Sequence, residues 1–172
     1  MENTQNPPRL VRDLMTVGVE TCTPDTLVVD LARRFLEKGI EEIVVLEEGH
    51  SLGVVGQVEM LRAYARDDFH ALKASDVLRE GVPQVPPDIP LTAAAEIMMD
   101  LGVRSLFLMH HAGGIEYPAA QISYRHYLRI MAAQEKEDLR DLGIHAQRRS
   151  PLETFIQRRD NARQEARKAS KK

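Results

Sequence analysis

The sequence predicts an α/β (α+β) fold made of two β-α-β-β-α repeats that are related by a pseudo-twofold axis. Three observations predict it. The hydrophobic pattern alternates between the period of strands and the period of amphipathic helices. The chain repeats itself at a fixed offset of 63 residues. A single repeat of about 60 residues buries too little apolar surface to be stable alone, so two facing sheets with helices outside should share one core.

The internal repeat aligns residues 13–46 with residues 76–109 without a gap. Beyond a turn that is longer in the second copy, the offset changes from 63 to 67. Surface turns tolerate such insertions, so the flanking strands keep their correspondence. The most informative aligned pairs are Asp13 with Asp76, Pro24 with Pro87, Gly39 with Gly102, Gly53 with Ala120, and Gly56 with Ser123.

The first half of each repeat is predicted to be a short extended segment followed by a helix. The extended segments are residues 17–23 and 82–85, and a Pro-Asp turn follows each of them. The helix shows apolar residues at spacings of three and four, which places them on one face. Gly39 and Gly102 stand where the C-terminus of a helix requires a residue that accepts a positive φ.

The second half of each repeat is predicted to be two strands joined by a turn and closed by a second helix. The β-rich runs alternate or cluster apolar residues between turn signals, as half-buried or buried strands do. The predicted strands cover residues 43–46 and 52–55 in the first copy and 106–109 and 117–122 in the second, and the closing helices cover 58–66 and the residues from Tyr124 onward.

These patterns divide the chain into four parts: a polar N-terminal segment at 1–10, repeat 1 at 11–68, repeat 2 at 69–132, and a basic helical tail at 133–172. The last helix of repeat 2 is predicted to continue past Met131 and to end near Gly143.

A further helix is predicted in the tail from Ser150, because Pro151 fits a first helical position and Glu153 completes a capping box. Its apolar patch, formed by Leu152, Phe155 and Ile156, requires a partner surface.

The charge is distributed unevenly along the chain. The net charge is −3, but residues 147–172 carry nine basic and three acidic side chains, which leaves the rest of the chain acidic. The tail therefore favours docking against the acidic body or a contact with an anionic partner. Nucleic acid is the weaker of these alternatives, because no aromatic residue beyond Phe155 and no binding motif accompanies the basic residues.

Composition indicates a globular protein and excludes several classes. The chain is 43% apolar and 28% charged, and it has no apolar run long enough to cross a membrane and no signal peptide. A single cysteine, Cys22, forms no internal disulfide, and we expect a cytoplasmic location. No P-loop, dinucleotide fingerprint or paired nucleophile and base is present, so the sequence predicts no catalytic residue, no enzyme activity and no metal site.

Several of the repeated features resemble a known family, the CBS domains. Val11-Arg12-Asp13-Leu14-Met15-Thr16 is similar to the opening of a CBS repeat, and so are the Pro-Asp turn, the Gly-Ile or Gly-Val pair before the second strand, and Gly53-Val54-Val55 before a helix. The resemblance covers about residues 10–132 and occurs twice in register.

The resemblance implies a tandem CBS module, called a Bateman module, with two ligand clefts and no catalytic function. Such modules sense adenosine-containing ligands such as AMP, ADP, ATP or S-adenosylmethionine, require no cofactor, and commonly pair into homodimers. A regulatory module of this kind signals through contact with another protein. It is allosteric if its ligand binds two states unequally.

The family also indicates where the ligand would bind. At each strand–helix junction a small or hydroxyl residue, here Gly56 or Ser123, would face a phosphate at the helix N-terminus. Three positions later an acid, usually Asp, would bind the ribose hydroxyls, and here Glu59 and His126 occupy these positions. Apolar residues would sandwich the adenine and two arginines would contact phosphate, which adds Ile40, Ile43, Gly53, Val54, Val103, Arg104 and Arg125 to the predicted site.

The departures from the family pattern leave a second interpretation open. His126 offers fewer acceptors than a carboxylate, and Val44 and Phe107 stand where the family has proline. These departures favour a protein-interaction scaffold with degenerate clefts as the alternative function.

Overall fold

The computed structural model describes residues 9–134, 136–143 and 146. The predicted tail helix from Ser150 lies outside the described residues. The elements follow the predicted order, with short helical turns before each repeat. The strands are β1 (Thr16–Val17), β2 (Thr21–Cys22), β3 (Glu42–Glu47), β4 (His50–Gly56), β5 (Arg79–Glu80), β6 (Ser105–Ala112) and β7 (Ile115–Ser123), and the helices are α1 (Val28–Lys38), α2 (Gln57–Tyr64), α3 (Ala74–Val77), α4 (Leu91–Leu101) and α5 (Tyr124–Ala132).

The first helix of each repeat ends as the sequence predicts. Gly39 follows α1 with a φ of 59°, and Gly102 follows α4 with a φ of 63°. Both lie in the left-handed region, where a residue without Cβ is favoured. The chain can therefore turn directly from each helix into the second strand of its repeat.

The strands form two sheets that exchange an edge strand between the repeats. The four-stranded sheet has the order β2-β3-β4-β5, and the three-stranded sheet has the order β1-β7-β6. Strand β5 belongs to repeat 2 but pairs with β4 of repeat 1, and β1 of repeat 1 pairs with β7 of repeat 2. Each sheet therefore needs residues from both repeats.

The strand pairings confirm that residues separated by 63 or 67 positions in the sequence are equivalent in the two repeats. Thr16 pairs with Gln121, and the equivalent pair in the other sheet is Arg79 with Val54. The amide of Val11 donates to the carbonyl of Ile89, a bond that the other half of the molecule repeats between equivalent residues. The pseudo-twofold relation thus extends from sequence to hydrogen bonding.

A central apolar cluster brings residues of both sheets together. Val44 and Val54 of the first sheet are fully buried with Phe107 and Met109 of the second. Val44 and Phe107 are the residues that replace the family prolines, and both now contribute to this core. The larger second cluster packs Met15 of repeat 1 against Leu106 and Ile122 of repeat 2, and we call it the repeat-2 core cluster because most of its residues belong to that repeat.

Two sequence-based predictions of local structure are wrong. The extended segment at 17–23 is divided into β1 and β2, because Gly18 between them has a φ of 90°. The segment at 82–85 forms only an isolated parallel bridge, between Gln84 and Phe107. Two-residue pairings of this kind produce no alternating pattern in the sequence.

The prediction that the last helix continues to Gly143 is also wrong. Helix α5 ends at Ala132, because Ala133 adopts an extended conformation with a ψ of 127°. A separate 3₁₀ turn follows at Lys136–Leu139. The amide of Gln134 donates to Oδ2 of Asp138 instead of continuing the helix. The chain thereby turns back towards the body of the protein.

Candidate ligand clefts

The two strand–helix junctions share one hydrogen-bonding arrangement. At the start of α2 the amide of Gly56 donates to Oε2 of Glu59 at 3.0 Å, and at the start of α5 the amide of Ser123 donates to Nδ1 of His126 at 3.0 Å. Each side chain occupies the third helical position and caps its own helix, as in a capping box. Glu59 and His126 are therefore buried by their capping role, at 3% and 6% exposed.

A cavity of about 340 Å³ opens at the junction between β7 and α5, and we call it the repeat-2 cleft. It brings together four of the predicted site residues: Ile40, Ser123, Arg125 and His126. Six further residues that were not predicted from the sequence also line it, namely Thr16, Gly39, Glu41, Gln121, Arg129 and Leu142. The cleft therefore combines residues from both repeats with one from the segment after α5.

His126 forms the polar wall of the repeat-2 cleft. Because Nδ1 accepts a hydrogen bond from the amide of Ser123, we assign the ring proton to Nε2, which donates to Oγ1 of Thr16 at 2.8 Å. Burial lowers the pKa of His126, and the charges of Arg129 and Arg125 lower it further, while Glu41 raises it. The imidazole is thus held neutral, with both nitrogens in use.

Gln121 lines the same cleft and has an unused acceptor. Its Oε1 atom is buried and has no hydrogen-bond partner among the described residues. A buried polar atom without a partner costs roughly 1–3 kcal/mol, which a ligand with a hydrogen-bond donor would recover. No feature of the sequence predicted this role, because the equivalent position in repeat 1 is Val54.

The two arginines that line the cleft have different hydrogen-bond partners. Arg125, which the sequence analysis proposed for phosphate, donates from Nη1 to the carbonyl of Gly39 at 3.1 Å. Arg129 holds Asp141 through two hydrogen bonds of 2.6 and 3.0 Å. The hydrogen bonds and charge of Arg129 lower the pKa of Asp141. Arg129 lies one helical turn after His126 on α5. Its partner Asp141 lies after the end of α5, in the segment that was wrongly predicted to be helical, so the sequence did not predict this ion pair.

The equivalent position in repeat 1 has different chemistry. Arg79 stands where the repeat-2 cleft has Thr16, and its Nη2 approaches Oε1 of Glu42 at 3.4 Å. Glu42 is 4% exposed, and its Oε2 has no hydrogen-bond partner in the described part of the chain. Burial raises the pKa of Glu42, the Ser105 hydroxyl and Arg79 lower it in part, and the nearby charge of Glu59 raises it. The strand–helix junction of repeat 1 thus contains two buried carboxyl groups, those of Glu42 and Glu59, and Arg79 contacts Glu42.

The remaining predicted site residues are placed as follows. Arg104 crosses to repeat 1 and donates to Oε1 of Gln57 at 2.9 Å. Val103 is 6% exposed and belongs to the core cluster of repeat 2. Ile43 and Val54 are fully buried in core clusters, and neither lines the repeat-2 cleft. Contact of these residues with a ligand stays a prediction.

Gly53 has a structural reason to be glycine. A Cβ atom at this position would lie 2.1 Å from the carbonyl oxygen of Arg79 on the paired strand β5. The residue therefore permits the close pairing of β4 and β5, independently of any ligand.

A second cavity lies on the outer surface of repeat 1. It is an apolar groove of about 460 Å³ between α1 and α2, and its lining includes Phe35, Leu36, Leu61 and Tyr64.

In the described residues, no group of three or more His, Cys, Asp or Glu side chains is placed to hold a metal ion. No described helix combines the length and apolar character that crossing a bilayer requires.

Comparison with known proteins agrees with this architecture. Residues 11–66 match the CBS domain family. A comparison with curated proteins found no match. Among solved structures, the chain is similar to the CBS domain pair of protein MJ0100 in complex with 5′-methylthioadenosine and S-adenosyl-L-methionine, with a TM-score of 0.64 and 14% identity over 75% of this chain and 100% of that one.

Two bacterial structures show the same likeness. A CBS-domain-containing protein from Agrobacterium tumefaciens has a TM-score of 0.63 and 20% identity, covering 72% of this chain and 99% of that one. A CBS domain-containing protein from Thermotoga maritima has a TM-score of 0.59 and 19% identity, covering 76% and 100%. Residues 11–66 thus match the CBS domain family, and the two repeats together have the fold of a CBS-domain pair.

Proposed function

We propose that this chain is a non-enzymatic regulatory module that senses an adenosine-containing ligand in the repeat-2 cleft. The observation that carries the proposal is a cavity of about 340 Å³ lined by Gln121, whose Oε1 atom is buried and has no partner among the described residues. This volume lies in the range of about 300–1,000 Å³ that is usual for small-molecule sites. A related CBS-domain pair binds 5′-methylthioadenosine and S-adenosylmethionine, which supports the ligand class.

The cleft offers a suitable surface for each part of such a ligand. Ile40 and Leu142 supply apolar area for a base, and Gln121 supplies an acceptor for an exocyclic amino group. The hydroxyls of Thr16 and Ser123 stand beside the start of α5, where polar groups of a ribose would find partners. A cytoplasmic location remains a prediction from the sequence.

A thermal-shift titration with adenosine, AMP, ATP, S-adenosylmethionine and 5′-methylthioadenosine tests this function. A ligand that binds only the folded protein stabilises it by about 2.7 kcal/mol at one hundred times its Kd. We expect a saturable rise in melting temperature with at least one of these compounds. The Gln121→Leu variant should lose most of that rise, while Gln84→Leu, the same change at an exposed position outside the cleft, should keep it.

The absence of any shift at millimolar concentrations of all five compounds would overturn the sensor function. A shift that Gln121→Leu leaves intact would show that the ligand binds elsewhere.

We also propose that the module pairs with a second copy of itself through its outer helices. Three positions on these helices are apolar and exposed in both repeats. The offsets of 63 and 67 make three pairs of positions equivalent in the two repeats: Leu36 and Met99, Leu61 and Leu128, and Tyr64 and Met131. All six side chains are 63–84% exposed. Two equivalent apolar faces suit a symmetric partner that contacts both at once.

The exposed faces also support the second candidate function, a protein-interaction scaffold. In that case the faces would bind a different protein and the clefts would bind no ligand. The thermal-shift titration separates the two functions, because a scaffold with degenerate clefts gives no shift.

A further inference from the structure

The C-terminal end of the described chain closes one side of the repeat-2 cleft. We call residues 136–143 the strap. Leu139 and Leu142 are buried in the core cluster of repeat 2, and Leu142 also lines the cleft. The amide of Gly143 donates to the carbonyl of Met15 at 3.0 Å, next to Thr16 of the cleft wall. Any change in the strap is therefore transmitted directly to the ligand site.

The side chain of Arg129 also connects the cleft to the strap. Its Nη1 and Nη2 bind the two carboxylate oxygens of Asp141, and Nη2 also donates to the carbonyl of Asp138 at 2.9 Å. Arg129 is 35% exposed and Asp141 is 62% exposed, so solvent screens this ion pair. Replacing the Asp141 carboxylate on Arg129 with a more highly charged anion therefore costs little free energy.

Two arginines can attract a ligand anion to the cleft, and Arg129 is the one that also holds the strap. Arg125 keeps its positive charge, because its partner is the neutral carbonyl of Gly39, and Glu41 brings one negative charge to the lining. His126 is neutral, so it contributes no positive charge. A phosphate presents two or three oxygens to a guanidinium and carries more charge than a carboxylate, so it competes well for the same fork.

We propose that the repeat-2 cleft is selective for an adenosine 5′-phosphate, whose phosphate takes Arg129 from Asp141 and thereby releases the strap. This inference rests on the proposed function and assigns both the ligand class and the element that reports binding. Because ligand and Asp141 share one partner, their binding is reciprocal: the docked strap lowers phosphate affinity by the same factor by which phosphate weakens strap docking.

Calorimetric titration of the full chain with adenosine, AMP, ATP and S-adenosylmethionine tests the ligand class. We expect AMP or ATP to bind at least about tenfold more tightly than adenosine. The Asp141→Asn variant should bind the phosphorylated ligand several-fold more tightly than wild type and adenosine equally well. Asp25→Asn, which removes a similarly exposed ion pair with Lys73 outside the cleft, is the matched control and should change neither affinity.

Hydrogen exchange of the unmodified protein tests the release of the strap. AMP should accelerate exchange of the amides of Leu142 and Gly143, which are hydrogen-bonded within the strap and to Met15, and adenosine should not. The Asp141→Asn variant should show fast exchange before any ligand is added. Because this measurement needs no variant for its main result, poor folding of a mutant does not obscure it.

The outcomes separate this inference from the proposed function. If adenosine binds but phosphate adds no affinity and Asp141→Asn changes nothing, the selectivity and the release are wrong while the sensor function stands. An equal gain for S-adenosylmethionine in Asp141→Asn would overturn the assignment to phosphate, since that ligand carries a carboxylate. If no adenosine compound binds, the proposed function itself fails.

Discussion

At the scale of single residues, His126 and Glu59 show how a ligand position in a family can become a capping position. Both side chains accept a hydrogen bond from the backbone amide three residues earlier. His126 is further fixed by Thr16, whose hydroxyl lies 110 residues away in the sequence. The capping geometry gives His126 a stability role that can be measured separately from ligand binding.

The pH dependence of stability should reveal the buried neutral imidazole of His126. Its pKa is lowered in the folded state, so below the ordinary value of about 6.5 the unfolded chain binds a proton that the folded chain resists. This part of the free energy of unfolding is therefore complete above about 6.5 and is lost as the pH falls below it, by up to about 1.4 kcal/mol per pH unit. Urea denaturation between pH 7.5 and 5.5 measures it.

The His126→Gln variant isolates this contribution. The advantage of wild type over the variant in the free energy of unfolding should shrink as the pH falls. The comparison is needed because Glu42 acts in the opposite direction: its pKa is raised by burial, so the cost of its buried charge is relieved at lower pH. Parallel curves for wild type and His126→Gln would contradict the neutral assignment.

The sequence predicted four residues that line the repeat-2 cleft but not the polar groups that distinguish it. Ser123 and His126 could be found from the repeat and the family pattern, and they do line a cavity. Gln121 could not be found in this way, because its place in the cleft depends on a strand register that only the folded sheet defines. Arg129 could not be found either, because its partner Asp141 lies in the segment that was wrongly predicted to be helical. Roles that depend on contacts across the pseudo-twofold axis leave no local signal.

At the scale of elements, the exchange of β1 and β5 between the repeats was also invisible in the sequence. Strands of two residues show no alternation, whereas β3, β4, β6 and β7 have clear apolar patterns and were predicted correctly. Helices α1 and α4 were likewise predictable, because an amphipathic face and a terminal glycine agree there. The exchange explains why two repeats, and not one, make the stable unit.

Replacing Gly53 with alanine should test the importance of this exchange. The new methyl group would lie 2.1 Å from the carbonyl oxygen of Arg79, and this backbone atom cannot move without breaking the pairing of Gly53 with Glu80. We expect a loss of about 2–4 kcal/mol in the free energy of unfolding, measured by urea denaturation.

Ala120 is the equivalent residue of the other sheet and provides the control. Its replacement by glycine removes a buried methyl group and adds backbone freedom, which should cost about 1 kcal/mol. If Gly53→Ala costs no more than this, then β5 contributes little to the stability of the first sheet.

At the scale of the whole molecule, the two repeats present different chemistry on a common pseudo-twofold frame. The repeat-2 cleft has the neutral His126 beside Arg125 and Arg129, while the matching region of repeat 1 places Arg79 against the buried Glu42. The outer helices, in contrast, keep apolar residues exposed at equivalent positions in both repeats. The clefts have diverged and the outer faces have stayed alike, as expected if both faces meet one symmetric partner.

Glutamate substitutions on the outer faces should convert a dimer into a monomer of 19.4 kDa. Leu61 and Leu128 are 70% and 63% exposed, so Leu61→Glu and Leu128→Glu together should change the stability of the isolated fold by only about 0.5 kcal/mol per site. Within an apolar interface the same carboxylates would be desolvated without partners, which opposes association strongly. Light scattering at micromolar concentration measures the mass. Ile115→Glu, at an exposed apolar residue on the β6–β7 hairpin, should leave the dimer intact, and a monomeric wild type would refute pairing through these helices.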